Sequence, residues 1–468
     1  MTKRFETGLV ASRRAWALIA AASATMLGAQ GAWAQDQGSS GGSTSGSTGT
    51  SSGTGATATT SGPSGGLGEE PSPYYIGASE TIAHDSNVFR IPNGPSDTFS
   101  TTSLLGGFDQ RVSRQHFHGN ATVGVSRYRN ETTLNNTNYG VNAGWDWQTI
   151  EKLSGTLSAS LTQALASMND NSTALTTGRN MVKTQRYGFT GRYGGDSLLA
   201  LEGAYSHSKV SYSEVTSNDA NSDSASFGVY YRPGATLRLG TAVRYSDTES
   251  PQGVRQSDGT LGSNTEKGRY LDLTADWRPT VITAVSGRVS WTRQTNSEVT
   301  ARDFSGVTGF LSGRWQATGK LALNTTLSRD AGVNGNFFTL NTTAPTTPQQ
   351  GQQTTQPVTG LSESSQVTNS VSFGANYAAT AKISVAASAA LRYGKLVDTV
   401  TTGSSSVSAE RHDNSRHYTI GVNYAAARFW QLGCQFQRFT RDLEASSLNA
   451  GVNYSSNLTS CTAQFTLQ

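Results

Sequence analysis

The chain has 468 residues, 35% hydrophobic and 15% charged, with 51 glycines and only two cysteines. Beyond the N-terminus no apolar run approaches the roughly 18 to 20 residues that a membrane helix needs, so helical spanning is excluded. The formal charge of +4 does not argue for nucleic acid. Four of the 36 basic residues (Lys3, Arg4, Arg13, Arg14) and one of the 32 acidic ones (Glu6) lie in the first 34 positions, leaving 32 against 31.

Those first residues, 1–34, read as a signal peptide. An extended basic region is followed by the apolar stretch Ala15 to Ala29, and Ala32-Trp33-Ala34 is a small-x-small cleavage motif before Gln35. The apolar stretch is too short for an uncleaved anchor. Residues 35–72 form a Gly/Ser/Thr tract with few large apolar side chains, which lacks the means to offset its ordering entropy. It is expected to be a disordered periplasmic linker spanning on the order of 35 Å as a random coil.

From residue 73 the pattern has a period of two. In Asn138 to Ile150, Tyr139, Val141, Ala143, Trp145 and Trp147 share one parity, while Asn138, Gly140, Asn142, Gly144, Asp146 and Gln148 share the other. That is a strand with one apolar and one wet face. Eighteen such segments begin near Tyr74, Thr98, His116, Asn138, Leu153, Asn180, Ser197, Ser222, Thr236, Lys267, Thr283, Phe304, Lys320, Val367, Lys382, Ser415, Phe429 and Tyr454. Short connectors centre on Arg114, Glu151, Gly195, Pro233-Gly234, Pro279-Thr280, Thr318-Gly319, Thr380 and Ala426. They alternate with longer polar ones, including Ser246 to Glu266, Ala331 to Gln366 and Thr401 to Ser415. The reading is all-β: a transmembrane antiparallel up-and-down barrel of about 18 strands over residues 73–468. An even strand number puts both termini in the periplasm, with the barrel in the outer membrane of a Gram-negative bacterium. The soluble alternative, a β-sandwich or propeller, does not account for one-sided tryptophan placement.

All six tryptophans after residue 34 lie on the outward parity, where an amphipathic ring favours the bilayer interface. Trp145, Trp147, Trp277, Trp315 and Trp430 also fall near short turns, as one girdle would require; Trp291 does not. Cys434 and Cys461 share the outward parity of the last two strands. Pairing Asp442 with Asn453 places them together, so either a cross-strand disulfide or two buried thiols is consistent with the pattern.

The inward parity is mostly Ser, Thr, Asn, Gln and Gly, with Arg186, Arg192, Arg232, Arg238, Arg244, Arg278, Arg288, Arg314 and Arg392. The facing acids are Asp146, Glu202, Asp272, Asp276 and Asp330. Guanidinium groups in series suit an anionic chain in transit; the same residues also suit Arg/acid pairs that brace the barrel. An 18-stranded barrel is wide enough for a water-filled channel, and Ala331 to Gln366, with Phe337-Phe338, is a candidate constriction or an external loop.

Signals for catalysis are weak. His84 and Asp85 are adjacent and therefore point to opposite faces of a strand, which favours a polar loop over a hydrolytic site. His116 and His118 share a face, yet no third ligand stands near them in sequence. No cofactor motif is present, no metal ligand set is assigned, and the chain reads as a non-enzyme.

Three blocks carry a resemblance: ETIAHDSNVFR (Glu80 to Arg90), NTNYGVNAGWDWQTIEKLSGTLSASL (Asn136 to Leu161) and YSSNLTSCTAQFTLQ (Tyr454 to Gln468). They resemble the EpsL-type outer-membrane proteins of exopolysaccharide biosynthesis operons, associated with PEP-CTERM sorting by XrtB and related to the β-barrel porin 2 group. Asp85, Asn87, Val88 and Phe89 match that family's opening motif. The final Phe465-Thr466-Leu467-Gln468 departs from the terminal aromatic residue usual for outer-membrane barrels. The resemblance implies a channel or scaffold for exopolysaccharide export, with outer-membrane lipid, an exopolysaccharide chain or other anionic solute, and periplasmic polysaccharide-export proteins as partners. A diffusion porin for small anionic solutes and an outer-membrane hydrolase working at its external loops are the alternatives.

Overall fold

The computed structural model describes residues 72–150, 152–166, 178–195, 197–255, 261–298, 303–332, 339–341, 355–357, 365–402, 405–445 and 452–467. The signal peptide, its Ala34/Gln35 junction, the linker up to residue 71 and the Phe337-Phe338 constriction lie outside the described residues.

The strands are β1 (Tyr74–Asp85), β2 (Asp97–Val112), β3 (Gln115–Tyr128), β4 (Asn136–Gln148), β5 (Leu153–Leu165), β6 (Met181–Tyr193), β7 (Leu199–Tyr212), β8 (Ala220–Tyr231), β9 (Leu237–Arg255), β10 (Leu261–Thr280), β11 (Thr283–Asn296), β12 (Phe304–Gln316), β13 (Leu321–Gly332), β14 (Thr339–Asn341), β15 (Thr355–Pro357), β16 (Ser365–Ala378), β17 (Ile383–Thr402), β18 (Ser405–Ala427), β19 (Trp430–Leu443) and β20 (Val452–Leu467). β14 and β15 make a separate two-stranded ribbon. The other eighteen form one antiparallel sheet in chain order, and β1 pairs with both β2 and β20, so the sheet closes on itself. At a strand spacing near 4.8 Å and a tilt near 40°, such a barrel is roughly 35 Å across between backbone walls.

Closure follows from the dyad pattern. Along β1, Gly77, Ser79, Thr81, Ala83 and Asp85 are buried, and the residues between them are exposed on the outer wall. The outer wall carries side chains such as Ile76, Leu104, Val243, Leu271, Leu311 and Ile420, 45% to 68% exposed, because their burial is to be supplied by lipid. Glu80 is an exception on the outward parity of β1, where it accepts the Thr102 hydroxyl at 2.6 Å.

Alternate connectors contain two to five residues and make one rim of short turns; at the other rim most connectors are longer, and β9–β10 and β17–β18 instead prolong their strands. Ile76 pairs with Leu467, which brings the start of β1 and the end of β20 to the short-turn rim. Outward Trp145, Trp147, Trp277, Trp315 and Trp430 lie near that rim on β4, β10, β12 and β19. Trp291 belongs to a second belt. Thr283 of β11 pairs with Trp315, and Trp291 lies eight residues further along the same strand, about 20 Å higher along the barrel axis. Exposed Tyr187, Tyr205, Tyr245, Tyr393 and Tyr418 occupy similar heights on other strands. Two aromatic belts thus bound an apolar band of membrane thickness.

Two of the connectors expected from sequence are mostly strand. β9 continues to Arg255 and β10 starts at Leu261, within the expected loop Ser246 to Glu266; β17 reaches Thr402 and β18 starts at Ser405, within Thr401 to Ser415. Beyond the apolar band both strand faces meet water, so alternation disappears from the sequence while the ladder hydrogen bonds continue.

Candidate functional site in the barrel lumen

The register places inward arginines against inward acids. Arg192 of β6 lies directly opposite Glu202 of β7, and Arg238 of β9 opposite Asp276 of β10. Glu202 is buried and holds both guanidinia, Arg192 at 2.7 Å and Arg238 at 3.0 Å. Arg238 stacks 3.7 Å above the Tyr230 ring. A side chain at Gly240 would collide with that ring, so glycine there makes room for the stack. Arg244 binds Asp272 through two nitrogens, at 3.0 and 3.3 Å, and lies 3.8 Å from the Tyr270 ring.

These three arginines brace the wall. Arg186, Arg288, Arg314 and Arg392 also take inward positions on β6, β11, β12 and β17, whereas Arg232 follows β8 in a short turn and Arg278 lies at the irregular end of β10. Arg288 lies over Phe310 at 5.2 Å. Arg186 sits between Ser160 and Ser208, with Nε and Nη2 both buried and without a hydrogen-bond partner.

The sequence reading missed part of this interior. Arg441 and Asp413 form a buried two-bonded pair, 2.9 Å at each contact, with Arg411 nearly inaccessible beside them. Parity along β19 would have revealed Arg441, but Arg411 and Asp413 fell in a stretch read as loop. Among the described residues, nine inward arginines and five acids become thirteen and ten once Arg90, Arg111, Arg411 and Arg441 and Asp85, Asp97, Asp109, Glu266 and Asp413 are added. The basic excess is therefore small beside the total. Among the exposed members, Arg111, Arg278 and Arg314 stand near the short-turn rim.

The motif Asp85–Phe89 has a structural role that sequence did not reveal. Residues 86–96 fold into the lumen at the long-loop end. Val88 and Phe89, 7% and 6% exposed, pack in one cluster with inward Ala83, Phe99, Tyr128 and Leu458. Phe99 and Tyr128 stack at 4.6 Å. Asp85 anchors the segment by pairing with Arg90 at 3.0 Å and accepting the Asn87 amide at 2.9 Å. The Asn87 side chain donates to Ile91 and to Ser455 of β20, stitching the segment across the closing seam. Arg90 and Asn93 adopt left-handed backbone angles, φ 54° in each, that turn the chain inward and back.

The lumen is consequently asymmetric. Toward the long-loop end the inward residues Ser290, Thr292, Gln294 and Asn296 of β11 are all buried, while Ala284, Ser286 and Arg288 below them are partly exposed. His84 and Asp85 diverge: His84 meets Thr98 on the outer wall at 2.9 Å, and Asp85 points inward. On the outer wall Cys434 faces Cys461 and the two are joined by a disulfide, in the register that pairs Asp442 with Asn453.

No family model matches the chain, and no curated protein matches it. Solved structures similar to it include a mutant form of the ferric enterobactin receptor PfeA of Pseudomonas aeruginosa (8% identity, 86% of this chain and 81% of that one, TM-score 0.42). The siderophore receptor PirA of Acinetobacter baumannii is also similar (6%, 86% and 81%, TM-score 0.41). A third is OccK1 (OpdK) of Pseudomonas aeruginosa (11%, 84% and 98%, TM-score 0.40).

Proposed function

We propose that this chain is an outer-membrane passage for exopolysaccharide export, shut at its long-loop end until residues 86–96 leave the lumen. The observation that carries the reading is the seat of Val88 and Phe89 among inward Ala83, Phe99, Tyr128 and Leu458. A pore meant for free diffusion gains nothing from an apolar stopper at its mouth. A passage that opens only during export needs one. Hydroxyl and amide side chains dominate the remaining wall, and polar groups of this kind exchange hydrogen bonds with a sugar chain without trapping it.

In this reading the short-turn rim faces the periplasm, so both termini lie where periplasmic export proteins can meet them. Arg111, Arg278 and Arg314 then line the entrance and favour acidic chains. Arg269 and Arg293 face each other on the outer wall, one pleat above Trp291, at the level of outer-membrane lipid phosphates. Transport requires no cofactor or catalytic group, and nucleic acid has no part in it. The rim arginines equally fit a diffusion porin for small anions, and one pair of experiments separates the two. Deleting the gene should leave polysaccharide in the periplasm, and the purified barrel should conduct poorly in planar bilayers. Unchanged secretion with a large, steady, anion-selective conductance would replace export by diffusion.

A further inference from the structure

We infer that the lumen holds a binding site for one borderline transition-metal ion of the Zn²⁺ or Co²⁺ class, near the short-turn rim, made by His116, His118 and Asp146. The three offer ligand atoms that all lie within 4.8 Å of one another. Local sequence supplies only the two histidines, two residues apart on one strand face. The ladder supplies the carboxylate, because Asp146 of β4 is paired directly with His116 of β3.

The spacing fits a tetrahedral ion. With metal–ligand bonds of 2.0 to 2.1 Å, two ligands of a tetrahedral ion stand about 3.3 Å apart. Asp146 Oδ2 lies 3.4 Å from His116 Nδ1 and 3.5 Å from His118 Nε2. Two edges of the coordination polyhedron are thus present before any side chain moves.

An outer layer of partners also orients the ligands. His116 Nε2 donates to Asp109 Oδ1 at 2.8 Å, which leaves Nδ1 with its lone pair toward Asp146 and His118. A carboxylate on the far nitrogen of a ligating histidine is the arrangement that sets its tautomer and raises its basicity. Thr156 donates to Asp146 Oδ1 at 2.8 Å and so turns Oδ2 toward the histidines. The His118 ring lies over Gly144, where any Cβ would occupy the ring's place. Arg111 is the cation facing His116 across the β2–β3 ladder. Asp109 and Asp146 together outweigh it by one negative charge, so the pocket attracts a cation. Three protein ligands leave a fourth position for water or for an oxygen ligand arriving through the lumen.

Metal binding at this site is independent of what the barrel transports, and binding alone tests it. Untagged barrel, purified in detergent and stripped with chelator, is titrated with Zn²⁺ by calorimetry and with Co²⁺ by visible absorption. One ion per chain is expected, with the intense Co²⁺ bands of four-coordinate geometry. His118→Ala and Asp146→Asn should each weaken binding at least 100-fold, and Asp109→Asn about 10- to 100-fold, the usual cost of losing an outer partner. His207→Ala, which removes the outward His207–Asp223 pair, should change nothing. Heat-modifiable gel mobility confirms that each variant is folded. A folded His118→Ala or Asp146→Asn barrel that binds as tightly as the parent would overturn the site, as would a parent that binds no more ion than a His116→Ala/His118→Ala double variant.

Discussion

Replacing Phe89 by alanine tests the stopper most directly. Phe89 is 6% exposed and shares its cluster with Val88, Phe99, Tyr128 and Leu458. Truncating a phenylalanine so buried costs about 3 kcal/mol when the cavity does not collapse. Those contacts exist only while residues 86–96 are seated, so the loss falls on the seated state and leaves the barrel wall intact. Each 1.4 kcal/mol is a factor of ten, so the ratio of unseated to seated segment should rise by roughly 100-fold. The assay is single-channel recording in planar bilayers, with open probability compared between parent and variant. Phe373→Ala, which shortens an outward side chain 46% exposed, controls for general loosening of the barrel and should behave as the parent. An unchanged open probability in Phe89→Ala, or an equal rise in Phe373→Ala, would refute the stopper.

Three further outcomes follow from the wall. Glu202→Gln should destabilise the barrel by about 3 kcal/mol in urea unfolding from lipid vesicles, because Arg192 and Arg238 lose the charge they share; a loss under about 1 kcal/mol would mean that lumen water already solvates both guanidinia. Reducing Cys434–Cys461, which closes a segment of sequence separation 27, should lower the unfolding free energy by roughly 3.5 kcal/mol on the chain-entropy estimate. An identical midpoint for the oxidised protein and for Cys434→Ser/Cys461→Ser would contradict that. Glu444, just past the end of β19, accepts from His412 at 2.9 Å, and this hydrogen bond holds its carboxyl below the ordinary glutamate value. A depressed carboxylate contributes while ionised and loses its contact as pH falls through the lowered value, so carboxyl NMR should show Glu444 titrating below an unperturbed glutamate. His412→Ala should raise that midpoint, and an unmoved one would exclude the contact as its cause.

Parity was legible in the sequence because a barrel wall imposes it residue by residue. Trp145 and Asp146 are neighbours in the chain and must separate into lipid and lumen, so the strand count, the faces and the belt near the short turns could all be read. Neighbourhood was less legible. That Glu202 serves both Arg192 and Arg238, or that Asp146 completes a ligand set with His116 and His118, depends on cross-strand register, which two-residue periodicity leaves free to slide in steps of two. The Cys434–Cys461 register could be written beforehand only because two rare residues on one face had to be reconciled with a loop of plausible length. Where the wall leaves the membrane, even parity fades: Arg411 and Asp413 sit on a regular ladder with water on its outer face, and their polar surroundings read as loop. The segment at Asp85–Arg90 was hidden for the opposite reason. Val88 and Phe89 look like a strand ending, and only closure of β1 against β20 shows that their apolar surface has nowhere to go except the lumen. An apolar motif at a strand end of a barrel, flanked by an acid and an arginine that pair, is therefore a signal for an inward-folded segment in other chains of this architecture. The acid and the arginine satisfy each other's charge inside, which is what allows the two apolar residues between them to be buried together.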